Sequence, residues 1–227
     1  MLLQWLVRGL LAGEPLLFLL TATWNSVLVS GVAGIVAAGF SIPMAVLVVR
    51  YPSMLGRLLE RVSFVGYALP GVVIALALVF FGANYAWPLY QTTWLLVFAY
   101  VVLFFPAALG ATRAALHQVS PRIEEAARGL GWSSGQVMRS ITLPLVRQGV
   151  LMGAAVVFLI SMKELPATLI LGPLGFETLA TAVWSASSEA FFAQAAAPAL
   201  TIILISSVPI AYLVMRERRP AHIKVEA

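Results

Sequence analysis

Two short stretches of this chain carry residues whose types and spacing suit chemistry, and neither is a catalytic constellation. The first runs from Glu125-Ala126-Ala127 through Gly131 to Ile141, Leu143 and Pro144, in a polar segment dotted with arginines. Its chemistry is that of a dock. Glu125 offers a carboxylate to a partner's donors, and Ala126 and Ala127 leave one helical face smooth enough for a partner backbone to approach. The second is Lys163-Glu164, a charged pair inside an apolar run. Charge inside a bilayer is expensive and marks function by default. Neighbours in sequence do not face each other on a helix, so these two side chains take different partners. Counting about 1.5 Å per residue from Leu145 puts Lys163 about 27 Å along its span, near the outer edge. Pro166 lacks an N–H and disfavours helix at Leu165, so the helix ends or breaks there. Two readings follow. Either Lys163 snorkels and Glu164 is solvated at the outer interface, or the pair belongs to a pathway or gate.

Other chemistries are unsupported. The chain has no Cys, so it holds no disulfide or thiolate metal site. There is no H-E-x-x-H, and the G-x-S-x-G match at Gly131-Trp132-Ser133-Ser134-Gly135 lies in the polar loop with no His in any span to serve as its base, so an intramembrane hydrolase is unsupported. No glycine-rich loop with Lys is present to cradle phosphates, so any ATP is hydrolysed elsewhere and the chain is not itself an enzyme. Glu164, Glu177, Glu189 and Tyr67 supply oxygen donors without metal-site spacing. His117 and His222 fall in segments that read as ordinary surface. No metal ligand is assigned.

The elements that position these residues are membrane spans. Only 10% of residues are charged against 61% hydrophobic; soluble domains carry about 25% charged residues. The net charge of +5 follows membrane topology rather than nucleic acid, because the cations cluster beside apolar runs. No secretory signal is evident, since Arg8 and Glu14 interrupt the first apolar stretch. A helix needs about 20 apolar residues to span the hydrocarbon. This places spans near 24–49, 64–83, 93–115, 147–165 and 196–215, with Asn84–Pro88 breaking the long uncharged run between the second and third. Residues 1–20 fit either an interfacial amphipathic segment or the remains of an earlier span. Twelve of the fourteen Lys and Arg residues fall in the loop after the first span, in the loop near 117–146 with its flanks, and in the tail. The positive-inside rule puts those segments in the cytoplasm, the C-terminus with them and the N-terminus outside. An exterior N-terminus without a signal leads us to expect a preceding span in a longer parent protein. The whole chain reads as one transmembrane domain.

A loop with unpaired backbone groups cannot lie in hydrocarbon, so residues 117–146 sit in water at one membrane face. Ser120-Pro121 suits a helix start, and Glu124 and Glu125 favour its N-terminal dipole. Gly129 and Gly131 suit a left-handed stop. Ser133 and Gln136 have capping-box spacing for a second short helix, and Leu143-Pro144 discourages its continuation into the next span.

The spacing Glu125-Ala126-Ala127-x3-Gly131-x9-Ile141-x-Leu143-Pro144 matches, without a gap, the signature loop of bacterial ABC importer permeases. The similarity extends through Gly66-Tyr67-Ala68-Leu69-Pro70-Gly71, Lys163-Glu164-Leu165-Pro166-Ala167-Thr168-Leu169 and Gly175-Phe176-Glu177-Thr178-Leu179-Ala180-Thr181. Together these resemble the permeases of ferric-iron importers, in particular their C-terminal half. The resemblance implies an all-α polytopic membrane bundle of about five to six spans, with the MetI-like fold of type I importers. It implies a multi-pass protein of the bacterial inner membrane that binds no cofactor and no nucleic acid. Its partners would be a cytoplasmic ATPase dimer carrying ATP and Mg, a second permease half and an extracytoplasmic solute-binding protein. Glu125, Ala126, Ala127, Gly131, Ile141 and Pro144 become the ATPase contacts. Lys163, Glu164, Pro166 and Thr168 become the pathway candidates. Permeases for thiamine, sulfate, molybdate and polyamines share much of the pattern, so those solutes stay open. A secondary-transporter fragment is the rival class; it would need intramembrane acids or His for ion coupling, and only Glu164 is available. Permeases of this kind usually carry two halves, each with a signature loop. With one loop in 227 residues, the chain is a fragment, a half that pairs with itself, or a half that pairs with another chain.

Overall fold

The computed structural model describes residues 2–11 and 17–217, all of whose regular elements are helical. Helix α1 (Leu2–Leu11) packs on the last helix, with the Trp5 and Phe192 rings 6.0 Å apart. Of the expected interfacial segment over 1–20, residues 12–16 lie outside the described residues, as do His222 and the tail cations Arg218, Arg219 and Lys224.

Helix α2 (Leu17–Arg50) is the longest. It stops where Pro52 drives Tyr51 out of the helical region. Ser53 then caps α3 (Met54–Ala68), its hydroxyl accepting the Gly56 N–H at 3.0 Å. Helix α4 (Gly71–Tyr85) follows after Leu69-Pro70, and the two axes are bent by 106°. The span expected over 64–83 is therefore two helices. The cause is local: Pro70 cannot donate to an α-helical ladder, and it holds Leu69 extended at φ −85, ψ 139.

A turn through Trp87–Leu89 leads to α5 (Thr93–Gln118), capped by Thr92. This helix is the axis of the molecule. Tyr100, Leu96, Leu109 and Leu116 on it are among the largest fully buried side chains. It packs against α2 and α8 (Leu143–Ser161), and their contact forms the main core with Val29, Ala33, Ala37 and Val157. Membrane helices gain little from burying leucine against leucine, so close approach of backbones drives this packing. A Cβ built on Gly153 would lie 3.0 Å from the Ala108 backbone, and one on Gly149 would collide with Ala115. Near the other end, α10 (Leu179–Ser188) starts at a Thr178–Thr181 capping box. It is tied to α2 by the Ser26 hydroxyl, which accepts the Leu179 N–H at 2.8 Å. The Asn25 amide also donates to the Glu177 carbonyl at 2.8 Å. Helix α11 (Phe192–Glu217) closes the bundle.

Among the described residues, four stretches are long and apolar enough to cross a membrane: Leu19–Arg50, Thr93–Gln118, Ser134–Ser161 and Phe192–Ala211. The bent α3–α4 pair makes a fifth if it counts as one span. Large apolar side chains stand exposed along them, among them Trp24, Phe40, Phe80 and Trp94. That surface suits lipid rather than water.

Candidate functional site

The polar loop folds into α6 (Pro121–Gly129), a glycine turn and α7 (Ser134–Val137). Pro121 sits in the first turn of α6, where its missing N–H costs nothing. The Ser120 hydroxyl makes no capping bond; the backbone serves instead, with the Ile123 N–H donating to the Ser120 carbonyl at 3.2 Å. At the other end Gly129 stays helical and Gly131 takes the left-handed conformation at φ +89. The Gly131 N–H donates to the Arg128 carbonyl at 3.0 Å, and the Trp132 N–H to the Ala127 carbonyl at 3.1 Å. This bond pair is the Schellman stop. Ser133 and Gln136 form the expected capping box, at 2.8 and 3.3 Å.

Pro144 does not separate the loop from the span that follows, which corrects the expectation at that residue. A π-turn over Met138–Thr142 joins α7 to α8 without a stop, and the Leu143 N–H reaches back to the Met138 carbonyl. One added residue in the turn absorbs the proline as a bulge.

The residues expected to dock divide by exposure. Glu125, Ala126, Gly131 and Pro144 are exposed, and Ile141 is half-buried. Glu125 has no hydrogen bond or ion pair among the described residues. Ala127 is buried and cannot form part of a smooth outer face, because α6 turns that side toward its own bundle. The tip carries three apolar residues that the pattern did not single out: Ile123, Leu130 and Trp132, with Leu130 82% exposed. Apolar residues in a polar loop were the available signal.

Glu124, read from the sequence only as an acid at the helix start, is 4% exposed. Its Oε1 accepts from Nε and Nη2 of Arg50, each at 3.2 Å, and from the Thr142 hydroxyl at 3.0 Å. Arg128 stands 3.8 Å from Oε2. The Arg50 Nη2 also donates to the Val119 carbonyl at 2.8 Å. Residues 50, 124 and 142 are far apart in sequence, and no local pattern announces their meeting. A second ion pair, Arg113 to Glu60, links α5 to α3.

The other candidates lie at the far end of α8. That helix ends at Ser161, so Lys163 and Glu164 occupy the turn before α9 (Pro166–Leu171) rather than the span itself. The Glu164 carboxylate accepts the Ala167 N–H at 3.1 Å, and a Cβ on Gly71 would lie 2.8 Å from its Oε1. Thr168 is buried; its hydroxyl donates to the Glu164 carbonyl at 2.5 Å and meets the Tyr100 hydroxyl at 2.5 Å. Thr168 therefore braces α9 against α5. Lys163 and Pro166 are exposed. Among the described residues, no group of three or more potential metal ligands converges.

Residues 15–220 match the family described as "Binding-protein-dependent transport system inner membrane component". The chain belongs to this family. It is 39% identical over 213 residues to the Fe(3+)-transport system permease protein FbpB 2 of Haemophilus influenzae, covering 92% of this chain and 42% of that protein. It is 33% identical over 161 residues to the molybdenum transport system permease protein ModB of Escherichia coli, covering 64% of this chain and 70% of that protein. The chain thus spans under half the length of the Haemophilus relative. Among solved structures, a chain of the MetNI methionine ABC transporter in an inward-facing conformation superposes with a TM-score of 0.72. That match has 16% identity and covers 90% of this chain and 97% of the other. The fold is thus the helical MetI-type permease fold, and the family is one of transport components rather than enzymes.

Proposed function

We propose that this chain is the membrane-spanning permease part of an ATP-driven importer and that its solute is ferric iron. The observation that carries the coupling half of this reading is the loop tip. Glu125, Ala126, Gly131, Leu130 and Trp132 stand exposed on a turn that is capped on both sides and continuous with α8. An exposed apolar tip with an unpaired carboxylate is the surface of a docking element. The partner it fits is a cytoplasmic ATPase, which binds ATP and Mg and whose closure pushes on α6 and α7. A second permease half, identical to this chain or fused to it in a longer parent, supplies the other wall of the pathway. A binding protein delivers the solute from the extracytoplasmic side of the bacterial inner membrane.

Iron is favoured by the 39% identity over 92% of the chain to a permease named for Fe(3+) transport, against 33% over 64% for one named for molybdenum. The iron is cargo, and selectivity rests with the binding protein. The test is uptake of labelled ferric iron by cells carrying the complete system, with molybdate, sulfate and thiamine as comparisons. Iron accumulation that depends on ATP and on this chain is the expected result. Uptake of another solute alone removes iron, and no ATP-dependent uptake of any of them removes the importer.

A further inference from the structure

Glu124 is adjacent to the docking surface and takes no part in it, being buried. A helix as short as α6 is not stable by itself in water. A push on its tip therefore reaches the spans only through whatever ties α6 to them. One tie is the chain itself, running through the π-turn into α8. The other is the Glu124 carboxylate. Through Arg50 it holds the last residue of α2 at 3.2 Å. The same guanidinium reaches Val119, just past the end of α5, at 2.8 Å. Through the Thr142 hydroxyl, at 3.0 Å, it holds the residue before α8. The loop-side ends of α2, α5 and α8 thus meet at one Glu124–Arg50 pair, α2 and α5 through the guanidinium and α8 through the carboxylate.

We propose that Glu124, with Arg50 and Thr142, is the linkage that makes α2, α5 and α8 follow α6 as one body when the ATPase closes. The three are positioning residues, acting through the helices they tie together. Coupling between distant sites is carried by networks that bind rigid elements together. A buried, multiply bonded carboxylate between two guanidiniums is a stiffer joint than an exposed pair. The proposal deepens the importer reading above and rests on it.

The test needs no solute. The chain has no cysteine, so Asn84→Cys at the exposed end of α4 provides a single label for a membrane-impermeant maleimide. The Asn84→Cys chain is assembled with its ATPase and reconstituted in liposomes, and its rate of labelling is measured with and without ATP and vanadate. In the otherwise native chain, trapping should change the labelling rate at least about fivefold. In Glu124→Gln the assembled complex should still hydrolyse ATP, while trapping leaves the labelling rate unchanged. Thr142→Val keeps every charge and should reduce the change part-way; it decides the matter if the Gln variant fails to assemble. A normal trapping response in either assembled variant overturns the linkage. So does a loss of hydrolysis in step with the loss of response, which would make Glu124 part of the dock. A native complex with no response at all sinks the importer reading instead, which separates the two failures.

Discussion

The Arg50 and Glu124 side chains are 10% and 6% exposed, and each is the other's charged partner in a network that also includes Thr142 and the Val119 carbonyl. Removing one partner of a buried pair leaves a charge without compensation and costs about 3–5 kcal/mol. Arg50→Met should therefore lower the thermal unfolding midpoint of the detergent-solubilised chain, and Arg50→Met combined with Glu124→Met should recover most of the loss. An Arg50→Met chain as stable as the native one would show that the pair is slack. Glu125→Ala is the contrast. Its side chain is exposed, so stability should change by within about 0.5 kcal/mol, while ATPase retained on a permease affinity column should fall sharply. Unchanged retention would take Glu125 out of the dock. Gly131 has open space around a built Cβ but a φ of +89. Gly131→Val thus meets no clash and pays only backbone strain, about 1–2 kcal/mol. It should weaken ATPase retention more than Gly131→Asn does, because Asn tolerates that conformation. The helix stop at Gly131 and the capping box at Ser133 were legible from residue types and their spacing. The burial of Ala127 and the meeting of Glu124 with Arg50 were not, since a contact across 74 residues leaves no trace in local pattern.

At the scale of elements, apolar runs and cation placement located the long helices, and the capping rules located α7 and the stop of α6. Where proline was concerned, two outcomes diverged. Pro70 breaks its span because the next residues, from Gly71, start a new helix at 106°. Pro144 breaks nothing, because a π-turn removes the conflict before it. The difference lies in whether the ladder has a spare residue upstream, and sequence does not display that. The seam between α5 and α8 gives a sharper case. Gly153 faces the Ala108 backbone at 3.0 Å from where a Cβ would sit. Gly153→Val should force the two helices apart and destabilise by about 1–3 kcal/mol, as overpacked cores do. Thermal unfolding measures it. Gly110→Ala on the neighbouring helix, with nothing within 4 Å of a built Cβ, should leave the midpoint near native. Equal shifts for the two variants would mean that the seam is not tight.

For the whole molecule, the reading commits to a membrane orientation. With Ser133 and Asn84 replaced separately by cysteine, Ser133 should label only from the cytoplasmic side and Asn84 only from the other. Labelling of both from one face would overturn the span order, including the treatment of the bent α3–α4 pair as one crossing. Val72, Leu76, Phe80 and Phe81 of that pair are exposed apolar residues, and the proposed importer architecture calls for a second half beside this one. Cross-linking in native membranes with the ATPase present should trap two permease halves per complex. A fully active complex with a single half would contradict the architecture. What sequence spacing did not display is that Glu164 and Thr168 bond to backbone groups around the start of α9, at 3.1 and 2.5 Å.

The loop between α5 and α8 is folded by bonds within its own chain. A Schellman bond pair, a capping box and a buried carboxylate hold it in place. Its thermodynamics of association should differ from those of a segment that orders on contact. Coupled folding carries a large negative heat-capacity change and surrenders several kcal/mol to ordering. A rigid tip surrenders little and shows a heat-capacity change set by the apolar area of Ile123, Leu130 and Trp132 alone. Titration calorimetry of the ATPase into permease at several temperatures would then give a shallow slope.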